Sequence, residues 1–257
     1  MYVRDGMYEI KKWFNCPTDQ PQILDGSIVL LPGSIIRKDP GEKIFIGPGC
    51  TLQEGALLHA HGGEAGGIFL GPANNLGHYA VVHGHVVTEY DVFFGVRSTV
   101  HNIKTGHHVY IGHESKVINS DLGSNIEFQE CAKIKNSIIG NNVRIGDNCV
   151  IKNAVIEDNV VIEAGARIYG SHEKRITIGS HTKLCRACEV YTDLKPHSYV
   201  GVRKVVVTPE EVEQIDTVNL NPVTDFGEHV WEHNMELAHI SPEVVEELKK
   251  QYFSHCE

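Results

Sequence analysis

Basic residues are the minority charge in this chain. Its 257 residues include 23 lysines and arginines against 33 aspartates and glutamates, which gives a net charge of −10 with histidine neutral. Proteins that bind nucleic acids or anionic membranes usually present clustered basic charge. We therefore expect neither nucleic acid nor a membrane surface as a partner.

Long apolar runs are also lacking. No stretch of the sequence approaches the roughly 20 consecutive apolar residues that a transmembrane helix needs. Residues 1–14 mix charged side chains with tyrosine and tryptophan and contain no apolar core of the kind found in signal peptides. These absences predict a cytoplasmic protein.

The cysteines lack the pattern of a disulfide framework. There are seven, an odd number scattered along the chain, which indicates reduced thiols. Cys185 and Cys188 form one Cys-x-x-Cys pair, and a structural zinc ion would need further ligands for which the sequence offers no second pair. Cys50 and Cys149 fall on small-residue positions of the repeat described next, so we predict that these cysteines pack inside the fold.

A six-residue repeat occupies residues 46–102. Eight of the ten positions counted in steps of six from Ile46 to Val100 are apolar, a period that fits neither an α-helix nor simple strand alternation. It is typical of a hexapeptide-repeat parallel β-helix, in which three short strands form one triangular coil. The ten positions are Ile46, Leu52, Leu58, Glu64, Leu70, Leu76, Val82, Thr88, Phe94 and Val100.

A second regular run starts at Leu122, and its apolar triplets recur every 17 residues, so one side of each coil is a pentad. Asparagines such as Asn136 and Asn153 stand where tight corners need residues that tolerate a positive φ; Asn141-Asn142 and Asp147-Asn148 stand at similar corners. No histidine lies between positions 113 and 172. We interpret this half as added structural coils; a second binding surface there is the alternative.

Three histidines occupy defined places relative to the repeat. His59 and His83 each follow an inward aliphatic residue, as Gln53 does, but they are 24 residues apart, which is four hexads and not a multiple of three. If the glycine-rich residues 62–67 form an extruded loop of about one hexad, the two histidines lie on adjacent rungs about 4.8 Å apart. His78 belongs to a different face, so it can share an ion with them only from a neighbouring subunit.

The residues around these histidines resemble the γ-class carbonic anhydrases. That family has a glutamine six residues before one histidine, like Gln53 and His59, followed by His-x4-His-Gly, like His78, His83 and Gly84. Residues 94–100 resemble the segment that follows in the same family. The matching stretches cover roughly residues 27–110 and 184–240, in the family's order.

Three further residues fit the same resemblance. Arg37 and Asp39 match an Arg-x-Asp motif, and Asn234 matches an active-site asparagine on a C-terminal helix. The resemblance implies that Arg37 and Asp39 pair across subunits, as a bidentate Arg–carboxylate fork suits a buried interface. It also implies that Asn234 orients CO2 and that Gln53 hydrogen-bonds the hydroxide or the substrate.

The resemblance further implies an all-β fold class, a left-handed parallel β-helix followed by C-terminal α-helices, assembled as a homotrimer with three interfacial metal sites. His59, His78 and His83 would bind Zn²⁺, with Fe²⁺ or Co²⁺ as alternatives because imidazole suits all three. Three imidazoles leave a fourth position open for water. The implied activity is reversible hydration of CO2 to bicarbonate through a metal-bound hydroxide.

The domain organisation follows from the repeat and from helix signals. We predict a lead-in over residues 1–22, the β-helix over 23–207 and C-terminal helices over 208–257. Within the β-helix, the metal-site coils span about 27–110 and the extra coils about 111–183. Thr208-Pro209-Glu210-Glu211 has the features of a helix start, and further helices are expected around 226–238 and from 241 to 252.

The chain departs from the family pattern at positions associated with proton transfer. Pro40 replaces a common glutamate, and Gly62 stands where an acidic loop residue is expected, with Glu64 the nearest substitute. Thr51 also replaces an asparagine two positions before Gln53. These departures predict a slow or altered activity.

Two other classes of function fit the repeat. A hexapeptide-repeat acyltransferase would use a histidine as general base and bind acyl-CoA between subunits, and metal content separates it from the first reading. A non-catalytic assembly protein would keep the fold and the trimer, and turnover separates it. Histidines without motif support are treated as bystanders, although His61 or His85 could relay protons; they are His61, His85, His101, His107, His108 and His113.

Overall fold

The computed structural model describes residues 22–23, 28–62 and 67–220. These residues form short strands and one short helix. The first strands are β1 Gln22–Ile23, β2 Val29–Leu30, β3 Ile35–Lys38, β4 Lys43–Ile46, β5 Thr51–Leu52, β6 Leu57–Ala60, β7 Gly67–Leu70, β8 Asn75–Leu76, β9 Val81–Thr88, β10 Val92–Phe94, β11 Thr99–Thr105, β12 Val109–Ile111 and β13 Lys116–Leu122.

The remaining elements continue the same pattern towards the end of the described chain. They are β14 Ile126–Phe128, β15 Lys133–Lys135, β16 Ile138–Ile139, β17 Val143–Ile145, β18 Val150–Lys152, β19 Ala154–Ile156, β20 Val161–Ile162, β21 Arg167–Tyr169, β22 Ile176–Ile178, β23 Lys183–Leu184, β24 Glu189–Val190, β25 Ser198–Val200, β26 Val205–Val206, α1 Pro209–Val212 and β27 Asp216–Thr217.

The strands wind into a triangular coil. Each strand pairs in parallel with the strand about one turn before and one turn after it, and the one antiparallel pair among the described strands is β25 with β27. One face holds β5, β8, β10, β12 and their successors, and the two other faces meet where β9, β11 and β13 run through a corner. The predicted left-handed parallel β-helix is thereby confirmed.

The core is a stack of inward side chains at equivalent positions of successive rungs. On the face of β10, Phe94 pairs with Ile111, Ile111 with Phe128, and Phe128 with Ile145, and all four are buried. Burial of each such side chain contributes about 1.5–3 kcal/mol relative to exposure, so repetition of the register supplies most of the stability. The six-residue prediction is confirmed at its apolar positions, and Thr88 is buried there as well.

The cysteines of the described chain pack as predicted. Cys50, Cys149, Cys185 and Cys188 are buried free thiols. Burial raises the pKa of the Cys50 thiol to about 12, since a thiolate would lose its hydration in the core. These side chains act as small apolar residues.

The coils differ in length in two places where the sequence indicated it. β6 pairs with β9 across the glycine-rich segment, so residues 61–66 are an insertion of one hexad at a corner. From β11 onwards the rungs repeat every 17 residues, as in the pairing of Thr99 with Lys116. Both predictions are confirmed, and the loop at residues 171–175 adds a further insertion between β21 and β22.

Asparagine side chains form hydrogen-bonded columns along two corners. Asn136, Asn142, Asn148 and Asn153 adopt the predicted positive φ, between 51° and 57°. The amide of each corner asparagine donates to the equivalent residue one rung further on. One column joins Asn102, Asn119, Asn136 and Asn153, and the other joins Asn125, Asn142 and Asn159.

The helix signal at the end of the coil is also confirmed. Thr208 caps α1, its side chain accepts a hydrogen bond from the Glu211 backbone N–H, and Pro209 occupies the first turn. The helices expected around 226–238 and 241–252 lie outside the described residues. Within the described part of the chain, no helix has both the length and the apolar character required to span a membrane.

The corner columns predict a specific stability loss. Asn142→Ala removes hydrogen bonds to Asn125 (3.1 Å) and Asn159 (3.3 Å) and places alanine at φ 55°. We expect a loss of about 2–3 kcal/mol in the free energy of unfolding, from two hydrogen bonds and one strained backbone position. Asn142→Gly, which removes the bonds but tolerates this φ, should lose about half as much in urea unfolding. Equal stability of both variants and wild type would contradict the role of the column.

Candidate metal centre

A column of outward side chains runs up one face of the coil. The register pairs Arg37 with His59, His59 with His83, and His83 with His101, each on the next rung. All four directly follow a buried apolar residue of the core stack. Because side chains alternate along a strand, the inward packing of that neighbour points each of them outwards.

His61 joins this column from the side. It follows β6 at the start of the inserted loop, and its Nε2 lies 3.0 Å from Nδ1 of His83. Its ring centroid is 4.8 Å from that of His59 and 5.5 Å from that of His101. The rings of His83 and His101 stack at 4.3 Å. Four imidazoles from three rungs therefore share one surface of a single chain.

The crowding of these imidazoles favours their neutral form. The pKa of His83 is lowered to about 4, first by burial and then by the neighbouring rings of His101, His61 and His59, which would repel a second positive charge. Burial, together with His61, also lowers the pKa of His101. A neutral imidazole keeps one nitrogen lone pair, which is the form that binds a metal ion.

Asp39 fixes the orientation of His59. Its Oδ1 lies 3.2 Å from Nε2 of His59 within the same chain. A carboxylate accepts the ring N–H, which leaves the other ring nitrogen, Nδ1, with the lone pair. Carboxylates of this kind commonly orient metal-binding histidines. The described contact of Asp39 is thus with a predicted ligand, and the predicted pairing with Arg37 across subunits remains a prediction.

His78 lies at a different corner of the coil, at the turn after β8. Its Nδ1 is 2.5 Å from Oε2 of Glu54, and nearly half of its side chain is exposed. Its backbone N–H donates to Oε1 of the buried Gln53 at 3.2 Å. This contact with Glu54 orients the ring just as Asp39 orients that of His59.

The structure therefore brings together two of the three predicted ligands. His59 and His83 lie on adjacent rungs, as the extruded loop required, and His78 lies on another part of the same chain. This is the arrangement for which the sequence analysis invoked a neighbouring subunit. Asn234 and Glu64 lie outside the described residues.

Two residues of the cluster were overlooked in the sequence. His101 follows Val100 in the repeat and stands 18 residues after His83, so the rule that selected His59 and His83 applies to it equally. His61 carried a weaker signal, since it stands two residues after His59 and therefore on the same side of the strand. Both were set aside because the family motif does not include them.

A separate pair of histidines with carboxylates lies at a corner further along the coil. Nδ1 of His107 is 2.7 Å from Oε2 of Glu89 and 3.2 Å from Oγ of Ser124, and the ring of Tyr90 stacks on it at 4.7 Å. The adjacent His108 contacts the buried Asp91 through Nδ1 at 2.6 Å. His107 thus has a carboxylate on one ring nitrogen, an arrangement suited to a general base.

Comparison with known proteins identifies the repeat. A family model described as "GlmU-like, C-terminal hexapeptide" matches residues 97–183, which are 87 of the 257 residues. No curated protein matches the chain. Similar solved structures include two acyltransferases, and neither similarity bears on the reaction that this chain's own residues support.

Both are similar only at low sequence identity. The UDP-N-acetylglucosamine acyltransferase of Francisella novicida has 12% identity, with 90% of this chain and 78% of that chain covered, at a TM-score of 0.40. The UDP-N-acetylglucosamine O-acyltransferase of Moraxella catarrhalis has 15% identity, with 90% and 82% covered, also at 0.40.

The packing around Gly84 predicts how the cluster responds to a small change. A Cβ at Gly84 (φ 84°) would lie 2.5 Å from Cδ2 of His101 and 2.2 Å from Oδ1 of Asn102, which accepts a hydrogen bond from His85. Gly84→Ala should therefore displace the His101 ring, seen as shifted histidine ring resonances in NMR. Gly41 is the matched control, because it has φ 85° and nothing within 4 Å.

Both alanine variants carry a similar backbone cost. Gly84→Ala should lower the free energy of unfolding by about 1 kcal/mol more than Gly41→Ala, because it also breaks the hydrogen bond to His85. Unchanged His101 resonances in Gly84→Ala would contradict the packing described for this cluster.

Proposed function

We propose that this chain is a metal-dependent carbonic anhydrase whose site forms between subunits of a homotrimer. The observation that supports it is the pairing of His59 with His83 on adjacent rungs, combined with His78 at another corner of the coil. In a ring of identical subunits, a heterologous contact brings two different surfaces together. Such a contact joins His78 of one subunit to His59 and His83 of the next.

The donor set fits the proposed ion. Three neutral imidazoles suit Zn²⁺, Co²⁺ or Fe²⁺ and leave a position open for a water molecule. A bound ion of this kind lowers the pKa of a coordinated water to about 7 and so supplies a nucleophile at neutral pH. The low pKa of His83 means that this ligand does not have to lose a proton before binding.

Asp39 and Glu54 act as positioning residues for two of the ligands. Asp39 accepts from Nε2 of His59 and Glu54 from Nδ1 of His78, so each ring has one nitrogen left for the ion. Holding the rings in one orientation reduces the reorganisation needed on binding. Loss of such a partner typically lowers metal affinity by about 10–100-fold.

Gln53 lies next to this site through its contact with His78. Its Oε1 is occupied by the backbone N–H of His78, and this fixes the amide so that its Nε2 can donate to an oxygen of CO2 or bicarbonate. Gln53 is buried, so a hydrogen bond from it acts with little competition from water. This assigns Gln53 to substrate orientation.

The shared site predicts the outcome of a metal and mixing experiment. Wild type purified under anaerobic conditions should contain about one ion per chain by elemental analysis, and His78→Ala and His83→Ala should each lose it together with CO2 hydration. Subunits of the two variants, mixed and reassembled, should recover about a quarter of wild-type activity, since that share of interfaces combines two intact surfaces.

The outcomes separate the alternatives. A mixture without recovery, despite hybrid trimers seen by native mass spectrometry, would sink the interfacial site. Metal without CO2 hydration in wild type would favour the non-catalytic assembly protein. His172→Ala, in an exposed loop, serves as the control that should retain both metal and activity.

An acyltransferase is the second candidate, and the Glu89–His107 pair favours it. Glu89 accepts from Nδ1 of His107, so Nε2 has the lone pair that takes a proton from an acceptor hydroxyl or amine. The acceptor oxygen or nitrogen then forms a bond to the thioester carbonyl carbon of an acyl-CoA. The carbon–sulfur bond breaks, and the sulfur leaves as the thiol with that proton.

This second candidate has its own test. If it holds, acetyl-CoA binds to wild type in calorimetry, and His107→Ala lowers acyl transfer by about 10²–10⁴-fold, the usual contribution of a general base. Binding of acetyl-CoA should be unchanged in that variant, and His181→Ala, whose ring stacks on His197 elsewhere, should behave as wild type. No binding of acetyl-CoA at millimolar concentration would exclude this candidate.

A further inference from the structure

The histidine column contains a group of ligands that is complete within one chain. One ring nitrogen each from His61, His83 and His101 lies within 4.8 Å of the others, and all three side chains are partly buried. They come from three consecutive rungs, so the core register holds their backbones in place. The proposed interfacial site uses only His83 of these three.

The geometry of the group resembles that of ligands around an ion. Nε2 of His61 and Nδ1 of His83 are 3.0 Å apart, close to the spacing of two nitrogens bound about 2.0–2.1 Å from the same Zn²⁺. A hydrogen bond between the two rings satisfies one pair of nitrogens but leaves His101, stacked 4.3 Å away, without a role in it. A single ion engages all three rings.

We propose that His61, His83 and His101 of one subunit bind a divalent transition-metal ion without any residue from a second subunit. Three imidazoles are a donor set for Zn²⁺, Co²⁺, Ni²⁺ or Cu²⁺, and not for Mg²⁺ or Ca²⁺, which prefer oxygen ligands. The site differs from the interfacial one in two of its three ligands.

The two sites share His83, which links their occupancy. An imidazole binds one ion through one nitrogen, and it holds a second only after its remaining N–H proton leaves to solvent. The intrachain site is therefore an alternative position for the ion wherever a neighbouring His78 is absent. An unassembled subunit retains a place for the metal.

The test removes the interfacial site first. In tag-free His59→Ala/His78→Ala protein, Co²⁺ titration should still show about one high-affinity ion per chain by calorimetry, together with the visible absorption of nitrogen-coordinated Co²⁺. Adding His101→Ala or His61→Ala to this background should weaken Co²⁺ binding by at least about 100-fold, because a direct ligand matters more than a second-shell partner. Adding His172→Ala should leave it unchanged.

Other variants guard against loss of fold. His101→Gln keeps a polar side chain of similar length on the coil, and circular dichroism reports whether the β-helix persists. The proposal is overturned if the folded double variant binds no Co²⁺, or if His61 and His101 substitutions leave its affinity unchanged. Failure of the carbonic anhydrase proposal looks different, because it appears as wild type that does not depend on His78.

Discussion

The vertical register of the core stack is the constraint on which the rest of the structure depends. Phe94, Ile111, Phe128 and Ile145 occupy one column, and their burial fixes each rung against the next. A shift of one residue would turn every inward side chain outwards, so the register is strongly specified. The outward positions are fixed by the same packing, which is why His59, His83 and His101 line up without any direct attraction between them.

Much of this arrangement was predictable because period and burial are properties of the sequence. The inward positions from Ile46 to Val100, the hexad inserted near Gly62 and the change to 17-residue rungs all follow from counting apolar residues. The corners were predictable as well, since Asn136 and Asn153 are among the few residue types that tolerate a positive φ.

Side-chain contacts at corners and loops were not predictable in this way. The approach of Glu54 to His78 and of Glu89 to His107 depends on the directions of side chains at turns, and the repeat does not set those directions. His61 lies at the start of an inserted loop, where the period ends. His101, by contrast, was within reach of the period, and attention to a family motif hid it.

The antiparallel pairing of β27 with β25 has a consequence for the coil as a whole. A solenoid of parallel strands ends in a row of unpaired backbone groups, and such an edge readily accepts a strand from another molecule. Here Ser198 and Tyr199 pair with Thr217 and Asp216, whose strand runs the opposite way. A second coil stacking end to end would offer strands running parallel to β25, and their place beside Ser198 and Tyr199 is already taken. This part of the edge is therefore closed to end-to-end polymerisation.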